Sequence, residues 1–189
     1  GFPAPQTTGE AATIVLGQQN LADFGAATSA VNLSQPDYVA VDAHGNLWVA
    51  DYGNNRAVMF PAPLSTGEAA TVEVGQANFT TSSTSGPYNL NQDNGISLDA
   101  AGNLWVASSN QNRVLEYPGP TISTNESPVR VIGQGNLTTA AAATGPRGLS
   151  YPALAIVDAQ GNLWVDDQSN DRVVGYVPTQ YSVTFAAQG

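Results

Sequence analysis

The run from Tyr38 reads YVAVDAHGNLWVADYGNNRAVMFPAP, and it returns twice. From Gly95 the chain reads GISLDAAGNLWVASSNQNRVLEYPGP, and from Leu154 it reads LAIVDAQGNLWVDDQSNDRVVGYVP. Trp48, Trp105 and Trp164 fix the register, as do Arg56, Arg113 and Arg172, so the period is about 60 residues. Each copy breaks into strand-sized pieces. Val39 to Asp42 alternates, Ala43-His44-Gly45-Asn46 turns, and Leu47 to Ala50 forms a second strand. Gly53-Asn54-Asn55 turns again before a third strand, Arg56 to Phe60, which Pro61 and Pro63 stop. Thr71 to Gly75 supplies a fourth, matched by Val129 to Gly133 and, at the end, by Ser182 to Phe185.

Four short antiparallel strands per repeat are the make-up of a β-propeller blade. The expected fold is therefore all-β: a partial, three-bladed propeller segment of four-stranded antiparallel blades. The blades are placed at 37–76, 94–134 and 153–187. Thr13, Ile14, Val15 and Leu16 match a fourth strand but precede the first full blade. Residues 1–18 are thus read as an extra N-terminal strand, the outer part of an incomplete blade.

The run P-[DE]-x-V-A-V-D…G-N-L-W-V-A-D…N-N-R resembles the NHL repeat, most closely in Pro36 to Met59. The second copy departs from it at Ser108 and Asn94, and the third at Asp171. The resemblance implies a propeller. Its family holds interaction modules, extracellular binding proteins, lyases and hydrolases, so it leaves function open.

Composition narrows the classes. Of 189 residues, 42% are hydrophobic and 11% charged, against roughly 25% charged in an average soluble protein. There is no lysine; five arginines face fifteen acids, for a net charge of −10. Nucleic acid and anionic membranes are disfavoured partners, since both demand clustered cations. No apolar run reaches the roughly 20 residues of a membrane span. The absence of cysteine excludes disulfides and thiolate metal sites. The lysine-poor, Thr- and Asn-rich composition points to an exported protein, at the cell surface or beyond it. Starting at Gly1, the chain reads as processed or as part of a longer one.

The motif residues read as structure. Asp51 and Arg56, with Asp167 and Arg172, flank a tight turn where an acid takes turn N–H groups or pairs with a guanidinium. Arg113 holds the same place. Trp48, Trp105 and Trp164 fill the space between blades. Asp42, Asp99 and Asp158 cap the A-x-G-N turn; a calcium loop would need alternating oxygen ligands and a terminal glutamate. His44, the only histidine, lies in a surface turn, leaving no triad and no zinc set. Neither catalytic, metal nor cofactor residues are assigned.

The long loops after each G-Q-x-N-[LF] motif are the candidate binding surface, through Asn20, Asn78, Phe79, Asn136 and Leu137. Asn32, Asn78 and Asn136 lie in glycosylation sequons. Three blades cannot close a ring, so their open faces need cover. The partner is the protein itself or the remainder of a longer propeller, joined through Thr13 to Leu16 and through Val183, Thr184 and Phe185. The leading expectation is a non-enzymatic, self-assembling extracellular protein. A glycan- or peptide-binding propeller comes second. Third is a metal-assisted lactonase or lyase with axial ligands from Asp37, Asp93 and Asn94, where the third copy offers only Pro152 and Ala153.

Overall fold

The computed structural model describes residues 8–86 and 89–177, with only the backbone of Asp93 and Asn94. The first sheet is β1 (Pro36–Val41), β2 (Leu47–Asp51), β3 (Arg56–Phe60) and β4 (Val72–Val74), paired in sequence order and antiparallel. The second is β5 (Asp93–Leu98), β6 (Leu104–Ser108), β7 (Arg113–Tyr117) and β8 (Arg130–Ile132). The third has β9 (Pro152–Val157), β10 (Leu163–Asp167) and β11 (Arg172–Tyr176). This is the expected all-β, partial propeller. The fourth strand expected around Val183, Thr184 and Phe185 lies outside the described residues.

The turns explain the meander. Asp42 Oδ1 accepts from His44 N at 2.8 Å and Asn46 N at 3.0 Å, while Oδ2 accepts from Asn46 Nδ2 at 2.8 Å. Asp99 and Asp158 repeat the arrangement, so each of these carboxylates caps the turn of its own blade. Between the second and third strands of each blade comes one turn of 3-10 helix. It ends at Asn55, Asn112 or Asp171 with φ of 53°, 51° or 52°, a conformation Asn and Asp tolerate better than other side chains.

Strand alternation sends one side chain set to each neighbouring blade. Trp48, Ala50, Ala57 and Val74 of blade 1 pack on Leu90, Ile96, Leu104 and Val106 of blade 2. Trp105, Ala107 and Val114 meet Leu149, Ala155 and Val165 of blade 3 in the same way. The outer faces are less completely covered: Leu16 and Leu33 pack with Val49 and Val58 of blade 1, but Val39 and Val41 there, and Ile156, Trp164 and Val173 on blade 3, are exposed.

One expectation needs correction. Thr13, Ile14, Val15 and Leu16 do not form a ladder strand. They run where an outer strand would run, but among the described residues no strand lies beside them to complete a ladder. Val15 N donates to Thr66 Oγ1 at 3.3 Å and Val15 O accepts from Gly67 N at 3.1 Å. Glu73 of β4 makes the same two bonds one repeat later, from its N to Thr124 Oγ1 at 3.4 Å and from Asn125 N to its O at 2.9 Å. Gly17, Gly75 and Gly133 complete the parallel. All three have positive φ, and a Cβ on each would strike Leu33, Leu90 or Leu149 within 2.6 Å.

Candidate functional site

The inner strands β1, β5 and β9 start at one end of the segment, and each is preceded by a two-residue turn: Ser34-Gln35, Asn91-Gln92 and Ser150-Tyr151. Gln35, Gln92 and Tyr151 adopt φ of 49°, 52° and 51°. Left-handed backbone is uncommon for side chains of this size, and it persists only where the surroundings enforce it.

Two sets of bonds enforce it. Within a blade, Ser34 N donates to Asp51 Oδ1 at 2.7 Å, Asn91 N to Ser108 Oγ at 3.1 Å, and Ser150 N to Asp167 Oδ1 at 2.6 Å. Between blades, Gln92 N donates to Asn55 Oδ1 at 3.1 Å, and Tyr151 N to Asn112 Oδ1 at 2.8 Å. The repeat residues Asp51 and Asp167, with Ser108, therefore anchor the axial turns.

The side chains held there form one polar chain. Tyr151 Oη donates to Gln92 Oε1 at 3.4 Å. Tyr52, on the 3-10 turn of blade 1, has its phenol pushed above the ordinary range by burial, then by its interaction with Tyr151 and by the charge of Asp37. A cavity of 270 Å³ lies beside it, lined by Gln35, Pro36, Asp37 and Tyr52. The Asp37 carboxylate, the Tyr52 phenol and the Gln35 amide thus line this mouth, and Tyr151, bonded to Gln92, adjoins Tyr52. The arrangement can bind a polar organic molecule and move a proton on it. Among the described residues no group of three or more His, Asp or Glu side chains is placed to hold a metal ion. Asp37 is the one described carboxylate at the mouth; the strand carrying Asp93 and Asn94 starts at the same end.

Of the named sequence residues, only Asp37 stands in this mouth, with Asp93, Asn94, Pro152 and Ala153 at the starts of the neighbouring inner strands. Arg56 is fully buried. Its Nε donates to Asp51 Oδ2 at 2.7 Å, Nη1 to Phe79 O at 2.8 Å, and Nη2 to Ser29 O at 2.8 Å and Asn32 O at 3.1 Å. Arg172 pairs with Asp167 in the same way at 2.7 Å. Arg113 donates to Leu137 O and, at 2.6 Å, to Gln111 Oε1.

The loop residues sit away from the mouth. Asn20, Asn78 and Asn136 each turn Oδ1 onto the N–H two residues ahead, at 2.9, 3.0 and 2.9 Å. Phe79 lies 6.0 Å under the Arg56 guanidinium and packs on the blade 1 core, and Leu137 packs on the core between blades 1 and 2. These loops wrap the buried arginines.

Reasoning from sequence missed Gln35, Tyr52, Gln92 and Tyr151. The signal was available: extending the alignment of the three copies backwards from Pro36, Asp93 and Pro152 puts Gln35, Gln92 and Tyr151 in one column.

No family model matches the chain, and no curated protein matches it. Among solved structures, a virginiamycin B lyase from Staphylococcus aureus is similar at 15% identity over 78% of this chain and 43% of that one, with a TM-score of 0.44. A PQQ-bound aldose sugar dehydrogenase from Streptomyces coelicolor is similar at 15% identity over 74% of this chain and 42% of that one, with a TM-score of 0.45. A luciferin-regenerating enzyme is similar at 17% identity over 71% of this chain and 38% of that one, with a TM-score of 0.44. The chain spans about two-fifths of the length of these structures. They are enzymes. That corrects the expectation of a non-enzymatic, self-assembling protein, which is given up here. The likeness is one of fold, so the activity has to be sought in the chain's own residues.

Proposed function

We propose that the chain forms three blades of an NHL-type propeller enzyme whose axial mouth performs lyase- or lactonase-type chemistry, proton transfer on a polar organic substrate. The observation that carries this reading is the polar chain Asp37, Tyr52, Tyr151 and Gln92, held on left-handed turns. Asp37 is the base. Tyr52, a protonated phenol at neutral pH, donates a hydrogen bond to the oxygen on which charge develops. Tyr151 orients Tyr52 and is itself held by Gln92. Asp37 and the amide of Gln92 fall short of a metal-ligand set, so no step is routed through a metal.

The mouth of three blades is an arc. The exposed faces of blades 1 and 3 take further blades, from the rest of a longer chain or from a second copy. The lysine-free composition, rich in Thr, Asn and Ala, supports export.

Ring opening of a lactone and cyclic-ester panel, followed by mass spectrometry with and without added divalent cations, tests the chemistry. Asp37→Asn and Tyr52→Phe are each expected to lower kcat/KM by about 10² or more with the fold intact. Absence of turnover on the whole panel, or full activity in both variants, overturns the reading.

A further inference from the structure

The outer flanks of the two closed blade junctions follow one plan with different linings. Between blades 1 and 2 a cavity of 380 Å³ is bordered by Trp48, Met59, Val72, Leu98 and Ile122. Between blades 2 and 3 a cavity of 430 Å³ has Glu116 and Arg130 in the places of Met59 and Val72. Both are cross-strand pairs at the same register, Met59 with Val72 and Glu116 with Arg130.

The exchange is costly. Glu116 is more than nine-tenths buried. Arg130 Nη1 lies 3.2 Å from its Oε2 but off the line a hydrogen bond needs, so that oxygen has no donor among the described residues. Tyr176 Oη, on the facing wall, is buried and also lacks a partner there. A buried carboxylate short of donors is destabilising, and the apolar pair of the first junction shows that the fold does not require it.

The rest of the lining says what would satisfy these atoms. Trp105 offers a ring face, its Nε1 tied to Asp99 Oδ2 at 3.1 Å. The Arg130 guanidinium sits 5.9 Å from that ring, on a side chain that is 60% exposed. Ile132, Val157 and Leu163 supply apolar walls. A cation belongs over the indole and beside the two carboxylates, with an aliphatic stem along those walls. Arg130 is the cation resident there, on a side chain that is largely exposed.

We propose that this inter-blade cavity binds an alkylammonium group, with Glu116 and Asp99 as counter-charges, Trp105 as the π face and Tyr176 Oη as a hydrogen-bond acceptor. The site is separate from the axial mouth and does not depend on its chemistry.

Calorimetric titration of the full chain with n-butylammonium, Nα-acetyl-lysinamide and n-butyrate tests it. Saturable one-to-one uptake of an ammonium probe and none of butyrate is expected. Binding of the lysinamide identifies a peptide lysine as the source, and binding of butylammonium alone identifies a free amine. Glu116→Gln is expected to weaken binding about tenfold, and Arg130→Ala, which clears the ring face, to tighten it about tenfold. The double variant Glu116→Met/Arg130→Val copies the first junction; it should fold and bind nothing. The proposal is overturned if wild type and Arg130→Ala both ignore the ammonium probes. It fails equally if Glu116→Gln binds as wild type does, or if butyrate binds as well as butylammonium.

Discussion

Arg56 and Arg113 hold the same place in blades 1 and 2, and both are buried, yet their partners differ in kind. Arg56 faces two buried carboxylates, Asp51 at 2.7 Å and Glu73 at 3.4 Å. In blade 2 these places are Ser108 and Val131, and Gln111 accepts from the guanidinium instead, while Ser108 Oγ donates to Gln111 at 3.0 Å. Burial pushes the Arg113 pKa down, an effect the nearby Tyr117 opposes. What is kept between the blades is geometry: a guanidinium stapling a turn and a loop, and an acceptor anchoring the axial residue of its own blade. Charge is dispensable, which fits a structural part better than a catalytic one.

Removing Arg56 breaks that comparison most severely. Arg56→Met leaves Asp51 and Glu73 buried without a cation and frees three loop carbonyls, so a loss of about 3–5 kcal/mol is expected from urea denaturation. Arg172→Met should cost about 1–2 kcal/mol, because the Arg172 side chain is 31% exposed and water takes over part of its role. Equal losses at the two sites would show that burial does not set the scale. Next comes a graft. Asp51→Ser removes an anionic acceptor and should cost about 2 kcal/mol. Adding Asn54→Gln rebuilds the Ser108–Gln111 arrangement of blade 2 in blade 1, and recovery of about half the loss is expected. No recovery would mean the two blades hold their arginines for unrelated reasons.

The more distant of the two acids on Arg56, Glu73, is open to a pH test. Burial holds the Glu73 carboxyl above its ordinary value of 4.5, and the attraction of Arg56 only partly offsets this. The folded protein therefore binds a proton at Glu73 more readily than the unfolded chain does. Stability contributed by this group is greatest below pH 4.5, declines as pH rises through the elevated folded value, and is flat above it. Glu73→Gln should flatten that decline and leave stability at pH 7 unchanged or raised by about 1 kcal/mol, as followed by thermal melts across pH 4–8. A loss as large as that of Arg56→Met would overturn the assignment of Glu73 as the dispensable acid.

These contrasts also mark how far the sequence could be read. Blade architecture was legible because each strand alternates and each turn carries its own punctuation: Asp42 with Gly45 and Asn46, Asn55 at positive φ, Pro61 after β3. The axial mouth was not. Gln35 and Gln92 carry amides and Tyr151 a phenol, and what unites the three is a left-handed backbone conformation, which at Gln92 and Tyr151 is held by Asn55 and Asn112 of the preceding blade, contacts between residues 37 and 39 positions apart. Tyr52 reads as a turn residue until the fold brings Tyr151 to it. The strand expected at Thr13 to Leu16 erred for a related reason: its pattern is that of an outer strand, but pairing needs the neighbour that only an inner strand provides.

The smallest effect contrasts a covered tryptophan with an open one. Trp105 is 4% exposed and Trp164 is 40% exposed, although both indoles donate to the turn aspartate of their own blade, Asp99 at 3.1 Å and Asp158 at 2.9 Å. The Trp164 hydrogen bond is the largest cause that lowers the Asp158 pKa to about 2, followed by Asn162. At Asp99 the Trp105 and Asn103 bonds work against burial, and the pKa is lowered all the same. A depressed carboxyl contributes its stability above its unfolded pKa and loses it as pH falls through the folded value, so the Trp164 turn loses this contribution progressively between pH 3.8 and about 2. The indole N–H resonance of Trp164 should shift with a midpoint near pH 2, and Trp164→Phe should move the Asp158 midpoint back toward 3.8. If a further blade covers this face in the assembled protein, the Asp158 midpoint should rise on assembly as burial begins to oppose the hydrogen bonds, bringing the third blade into line with the second. An unchanged midpoint in an assembled sample would show that Trp164 stays open to water.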